Sequence, residues 1–342
     1  MMSSKVYLKT GFWSGLSSIP SIDGIRARVD VYDALKGSYV ITDATEDMLL
    51  CDEFLKIIKQ NPYERCSEQY IDNVISNLKP AENAEDLCAT YLTDKSTNEC
   101  KNIENHYGVL MLNAETAIQK RYLFKGDGFS LDKNRLYIKG YIEFKEHLSH
   151  PCNSLIVIDP YLLSKREKKD NVVNYPGIAN NLESLLDAIL PMKLEVDFHL
   201  TIISNVQVES DILNEVRRVS EKIKKCLKRI RKELSIRLCV VYAGGKGYRY
   251  NVESFHSRHI LSNTFAIDSE DGFDLFNEKG YVTKNNPSIS IVFPRLLYGD
   301  NRKDKTKYYN WITSVKKYIE ESPDYFIYGN KDNRLFDLIG KK

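Results

Sequence analysis

The chain is poor in the features that ligate metals and has no run that could cross a membrane. Its seven cysteines (Cys51, Cys66, Cys88, Cys100, Cys152, Cys226 and Cys239) include no Cys-x-x-Cys pair, which excludes the common zinc and dithiol motifs. Odd in number and irregular in spacing, they are expected to be reduced, structural thiols. Of six histidines, His147, His150 and His199 have no partner at ligand spacing, so no metal and no cofactor is expected. No apolar stretch approaches the ~20 residues of a membrane span. Thr10, Ser14 and Ser17 interrupt the first twenty residues, which argues against a cleaved signal peptide and for a cytoplasmic protein. Internal repeats, low-complexity tracts, a Walker loop and a Gly/Pro/Ser-rich linker are also lacking.

What remains is ordinary for a soluble globular protein: 342 residues, 42% hydrophobic and 28% charged, with ample chain to bury a core. The net charge of +2 hides an asymmetry, because residues 1–110 hold 11 Lys/Arg against 17 Asp/Glu. The basic excess therefore lies in the remainder. That favours an anionic partner there, although a solvated charged surface is the commoner meaning of such a bias.

Periodicity divides the chain. The first ~100 residues read as mostly helical, with apolar residues at helical spacing over Asp52–Lys59 and Glu68–Leu78, and a third candidate at Ala84–Leu92. The polar stretch Asp94–Asn105 reads as a loop. From Tyr107 the pattern turns to strands: Gly108–Leu112, then the alternating Arg135–Phe144 after a Gly126-Asp127-Gly128 turn. Ser154–Ile158 is a continuous apolar strand of the kind buried on both faces of a sheet, stopped at Asp159-Pro160-Tyr161. A basic loop (Lys165–Lys169), a helix at Leu182–Leu190 and a strand at Val196–Ile203 follow. The amphipathic helix Asp211–Leu234 comes next, then a strand at Ile236–Tyr242. Phe255–Leu261 carries a fourth strand, a fifth ends at Phe273–Phe276, Ile289–Phe293 is strand-like, and Tyr308–Ile319 is helical. The alternation predicts an α/β fold, a mixed sheet flanked by helices, over 149–342 with a C-terminal helical extension. Residues 1–148 form a helical, then β-rich, N-terminal region; without a linker, one compact unit is equally compatible.

The chemistry concentrates in Phe255–Asn263. Residues two apart on a strand share a face, so His256 and Arg258 project together. The guanidinium offers forked donors matched to phosphate oxygens, and the imidazole can attack phosphorus, donate a proton or simply hydrogen-bond. A solvent-facing pair on an edge strand is the alternative. His259 points the other way, to packing or to surface. Gly244-Gly245-Lys246-Gly247 is a strand-to-strand turn that could also wrap an anion with backbone N–H groups, Lys246 and Arg249 adding charge. Asp159 either walls the same site or caps the turn before Pro160. The long helix carries nine basic residues, a solvated face or a track for phosphates.

His256-Ser257-Arg258 with Asn263 resembles the His-x-Lys-x4-Asp signature of the phospholipase D superfamily, with Arg258 at the lysine position and Asn263 at the aspartate position. The β-α-β-α-β run before it is similar to one half-domain of that superfamily. Closer still is the variant domain found C-terminal in some microtubule-interacting-and-trafficking (MIT) proteins, with a His-Asp-Arg motif and a segment like Asp271–Phe276. The resemblance covers roughly residues 150–280. It implies a metal-independent phosphodiesterase or nuclease with catalytic residues His256 (nucleophile), Arg258 (phosphate holder) and Asn263, and with Lys246, Arg249 and Asp159 around the phosphate. Asn263 lacks the family's negative charge, and the downstream Gly-Ser-x-Asn segment is absent. Only one motif copy is present, so a two-histidine site implies a homodimer. Similar architectures occur in prokaryotic anti-phage defence, which implies nucleic acid as substrate and a partner protein in a multi-gene system. The MIT-associated relatives imply instead a non-catalytic phosphate-binding module or an interaction scaffold.

Overall fold

A computed structural model describes residues 4–125, 129–131, 140–148, 151–169, 172–208, 211–244, 258–284, 288–294 and 302–339. The first sheet contains β1 (Ser4–Leu8), β2 (Ser38–Thr42), β3 (Tyr63–Arg65), β4 (Thr90–Leu92) and β5 (Leu110–Leu112), all parallel, in the order β3-β2-β1-β4-β5. The expectation of a mostly helical first 100 residues is thereby corrected. These strands run only three to five residues, too few for an alternation or an apolar run to stand out against the helices between them. Asp94–Asn105 is likewise no loop, since Thr97–Tyr107 is helical. That helix is polar nearly all round, so its periodicity is faint. Its start was nonetheless written in Ser96-x-x-Glu99: Ser96 Oγ accepts from the Glu99 N–H (3.3 Å) while the Glu99 carboxylate accepts from the Ser96 N–H (2.9 Å). It ends on Gly108 at φ +64°, the left-handed conformation that glycine adopts without steric cost.

Among the described residues the second sheet has eight strands. In chain order its members are β6 (Phe129–Leu131), β7 (Ser154–Ile158), β10 (Phe198–Ser204), β11 (Ile236–Tyr242), β12 (Arg258–Ser262), β13 (Ala266–Ser269), β14 (Ile289–Val292) and β15 (Ile327–Gly329); a separate hairpin pairs β8 (Glu167–Lys169) with β9 (Val172–Asn174). The order is β15-β11-β10-β7-β12-β13-β14-β6, with β11, β10 and β7 mutually parallel and every other pairing antiparallel. Here the expected mixed sheet flanked by helices is what the chain forms. Every residue of β7 and of β10 is buried, because the helices cover both faces; burying each Leu, Ile or Val side chain contributes about 1.5–3 kcal/mol. Helix Ile212–Ile230 packs on β11 through Val216, Val219, Ile223 and Leu227 and leaves Arg217, Lys225 and Lys228 exposed. The alternating segment Arg135–Phe144 is not a continuous strand: 132–139 lie outside the described residues, and Ile142–His147 is a helix.

Two asparagines join the sheets. Asn153, just before β7, donates its side-chain N–H groups to the carbonyls of Leu87 (2.7 Å) and Tyr107 (2.9 Å). Asn263, just after β12, donates to the Gly108 carbonyl (2.8 Å) and accepts from the Asn153 N–H (2.9 Å). Helix Arg302–Glu321 bridges them a second time. Its Tyr308 hydroxyl donates to the Ser262 carbonyl (2.5 Å), and its Tyr309 hydroxyl lies 3.0 Å from Ser4 Oγ.

Candidate functional site

β12 runs antiparallel to β7, with His259 opposite Ile158, so Arg258 opens beside the carboxyl end of β7, where Asp159 follows. Open α/β sheets place ligands at such carboxyl ends. The Arg258 guanidinium lies over the ring of Tyr161, 5.1 Å from its centroid, and Tyr161 is itself exposed. Stacking on an aromatic face holds the fork without neutralising it. One guanidinium N–H donates to the Glu270 carbonyl, and Nε has no hydrogen-bond partner.

Asp159 is fully buried, and both of its oxygens are engaged. Oδ1 accepts from the N–H groups of Tyr161 (2.8 Å) and Leu162 (3.2 Å), and Oδ2 from that of Phe273 (2.6 Å). It caps the turn before Tyr161 and, from the other oxygen, clasps the loop after β13. Burial raises its pKa, opposed by those backbone donors and by the Arg258 charge. Loop 270–276 is held at close quarters. Gly272 sits at φ +86°, and a Cβ there would come within 2.8 Å of Asp159 Oδ2 and 3.2 Å of Arg258 Cδ. Asn181 accepts from the Leu275 and Phe276 N–H groups (3.0 and 2.8 Å) and donates back to the Phe276 carbonyl (3.0 Å). The Tyr141 hydroxyl donates to the Phe273 carbonyl (2.5 Å). On the rim, Lys165 pairs with Asp274 at 3.5 Å.

Of the residues singled out in the sequence, Arg258 and Asp159 come together. His256, Lys246 and Arg249 lie outside the described residues. Asn263 does not join Arg258. Five positions along an extended strand carry it ~16 Å away, to the opposite edge, where its carboxamide ties the two sheets. His259 is buried against Trp311, ring centroids 3.7 Å apart, and its Nδ1 lies 3.1 Å from an Asp268 oxygen without hydrogen-bond alignment. Tyr161, Asn181 and Gly272 are the neighbours that sequence reasoning passed over. Asp271-Gly272 was a readable turn signal, whereas Asn181, inside the π-helical turn Ile178–Leu182, announced itself by nothing.

No protein-family model matches the chain, and no curated protein matches it in sequence. Among solved structures it is similar to phosphatidylserine synthase from Haemophilus influenzae Rd KW20, at 10% identity and a TM-score of 0.29, over 96% of this chain and 83% of that one.

Proposed function

We propose that the protein recognises a phosphodiester at the carboxyl edge of its second sheet, with Arg258 as the phosphate-holding cation. The observation that carries this reading is the placement of a stacked guanidinium, without a carboxylate in ion-pair contact among the described residues, at the end of the central strands. Asp159 supports the site from below without competing for the guanidinium, since three backbone N–H groups already occupy its oxygens. His256, two residues before Arg258 in the sequence and outside the described residues, is the nucleophile in this proposal, and a second copy of the chain supplies the histidine that protonates the leaving group. Nucleic acid is the proposed ligand, in keeping with the basic balance beyond residue 110.

The test is incubation of the protein and of His256→Ala with single- and double-stranded DNA and RNA, with and without EDTA. EDTA-resistant cleavage that vanishes in the variant supports phosphodiesterase action. Intact nucleic acid whose salt-sensitive binding is lost in Arg258→Ala supports recognition alone, the role of the non-catalytic modules that the motif also resembles. Neither cleavage nor binding overturns both. Light scattering checks the dimer: a strict monomer removes the two-histidine route.

A further inference from the structure

Tyr161, which follows the carboxyl end of β7, is a large aromatic side chain left in the open, with 47% of its surface exposed. The Arg258 guanidinium lies over its ring at 5.1 Å from the centroid. Among the described residues no other ring or cation meets it, and its hydroxyl has no hydrogen bond. The backbone beneath the ring is nevertheless fixed. The Tyr161 N–H donates to Asp159 Oδ1 (2.8 Å), and its carbonyl accepts from the N–H (3.1 Å) and the hydroxyl (2.8 Å) of Ser164. Leu162 and Leu163, next in the chain, are buried. A single exposed ring is ordinary on a protein surface. This one stands on a pinned turn, makes no bond of its own and adjoins a guanidinium with no carboxylate in ion-pair contact among the described residues. Little ordering is left for a partner to impose on it.

Ring and guanidinium offer contacts that do not compete. The forked N–H groups of Arg258 lie at the edge of its plane and suit phosphate oxygens, whereas its stacking on Tyr161 uses a face. Arg258 can therefore lean on the ring and still hold a phosphate, while the ring surface it leaves uncovered is open to another flat group. In nucleic acid a flat base and a phosphate come joined in each nucleotide. A base inside a duplex is already paired and stacked on its neighbours, so only an unpaired base is free to stack on a protein ring. We propose that Tyr161 is a stacking platform for an unpaired base whose neighbouring phosphate Arg258 holds, so that this edge selects single-stranded nucleic acid; this builds on the phosphodiester function proposed for the same edge.

Fluorescence anisotropy on the intact protein tests it with three labelled ligands: an oligothymidylate, a strand of the same length built of abasic sites, and a duplex. The wild-type protein should bind the oligothymidylate about 10- to 100-fold more tightly than the abasic strand, and more tightly than the duplex. Tyr161→Ala should abolish that preference by weakening the oligothymidylate alone, and Tyr161→Phe should keep it. Arg258→Ala should weaken both single strands by the same factor. Equal wild-type affinity for the two strands, tighter binding of the duplex, or a preference that survives in Tyr161→Ala overturns the stacking role and leaves the phosphate function standing. So does an equal loss on both strands in Tyr161→Ala, which would mean that the ring only positions Arg258. No binding of any of the three, or unaltered binding in Arg258→Ala, overturns the phosphate function and the stacking role with it.

Discussion

The two sheets each bring a cation to the carboxyl edge of their central strands, and they treat it in opposite ways. At the end of β1, Lys9 is buried and its ammonium is closed off by Asp72 (2.7 Å) and Asp94 (3.2 Å), while Lys95 pairs with Asp72 on the other side (2.9 Å). At the end of β7, Arg258 meets an aromatic face and a carbonyl, and the carboxylate beneath it is bonded by three backbone donors. The first arrangement is internally neutral and holds segments of one sheet together. The second leaves positive charge available to something outside. Comparable strand ends thus yield a structural clamp in one half and a candidate binding site in the other, and the distinction rests on what the nearest carboxylates are already bonded to.

The largest expected effect tests the link between the halves. Asn263→Asp replaces a donor by an acceptor facing the Gly108 carbonyl, and denaturant titration should show a loss of about 3 kcal/mol. A change in ligand affinity with stability intact would return Asn263 to the binding site. Next, Arg258→Ala should weaken nucleic-acid binding by about 10- to 100-fold, whereas Lys9→Met should leave it unchanged; equal losses in the two would erase the contrast. Gly272→Ala should destabilise by about 2 kcal/mol, because an alanine must take φ +86° with its Cβ against Asp159, measurable as a lowered urea midpoint. Lys9→Met should cost about 1 kcal/mol, the carboxylates it leaves being partly exposed.

The smallest effect near neutrality concerns His199. Burial, then the charges of Arg334 and Arg237, hold its pKa down to about 3 against an ordinary 6.5, with Asp197 and Asp332 opposing. The unfolded chain therefore takes up a proton that the folded one refuses. This contribution to stability is whole above 6.5 and declines as pH falls toward about 3, by up to ~1.4 kcal/mol per pH unit. His199→Gln should flatten that acid limb in urea titrations between pH 6.5 and 5.

How much of this was legible in the sequence follows from segment length and from where partners sit. Ser154–Ile158, Ile236–Tyr242 and the long helix were readable because four or more apolar residues in one register leave a pattern. The three-residue strands β3, β4 and β5 leave none, and their sheet exists only through tertiary pairing. Within the site, Asp159 and Arg258 were found because a motif strand and a strand end carry local signals. The role of Asn263 was not, since the x4 spacing says nothing about its partner Gly108, 155 residues away. His199 looked idle for the same reason: Arg334 approaches it from the far end of the chain.

Asn153 and Asn263 also bear on how this protein can be divided. A cut between residues 148 and 149 would follow the boundary expected from the sequence, yet it would strand four amide contacts that reach across it to Leu87, Tyr107 and Gly108. Each fragment would carry a polar wound where an interior had been. The expected consequence is one calorimetric transition for the whole chain and poor recovery of either fragment alone. In recombination or library construction, the chain is then expected to behave as one indivisible part.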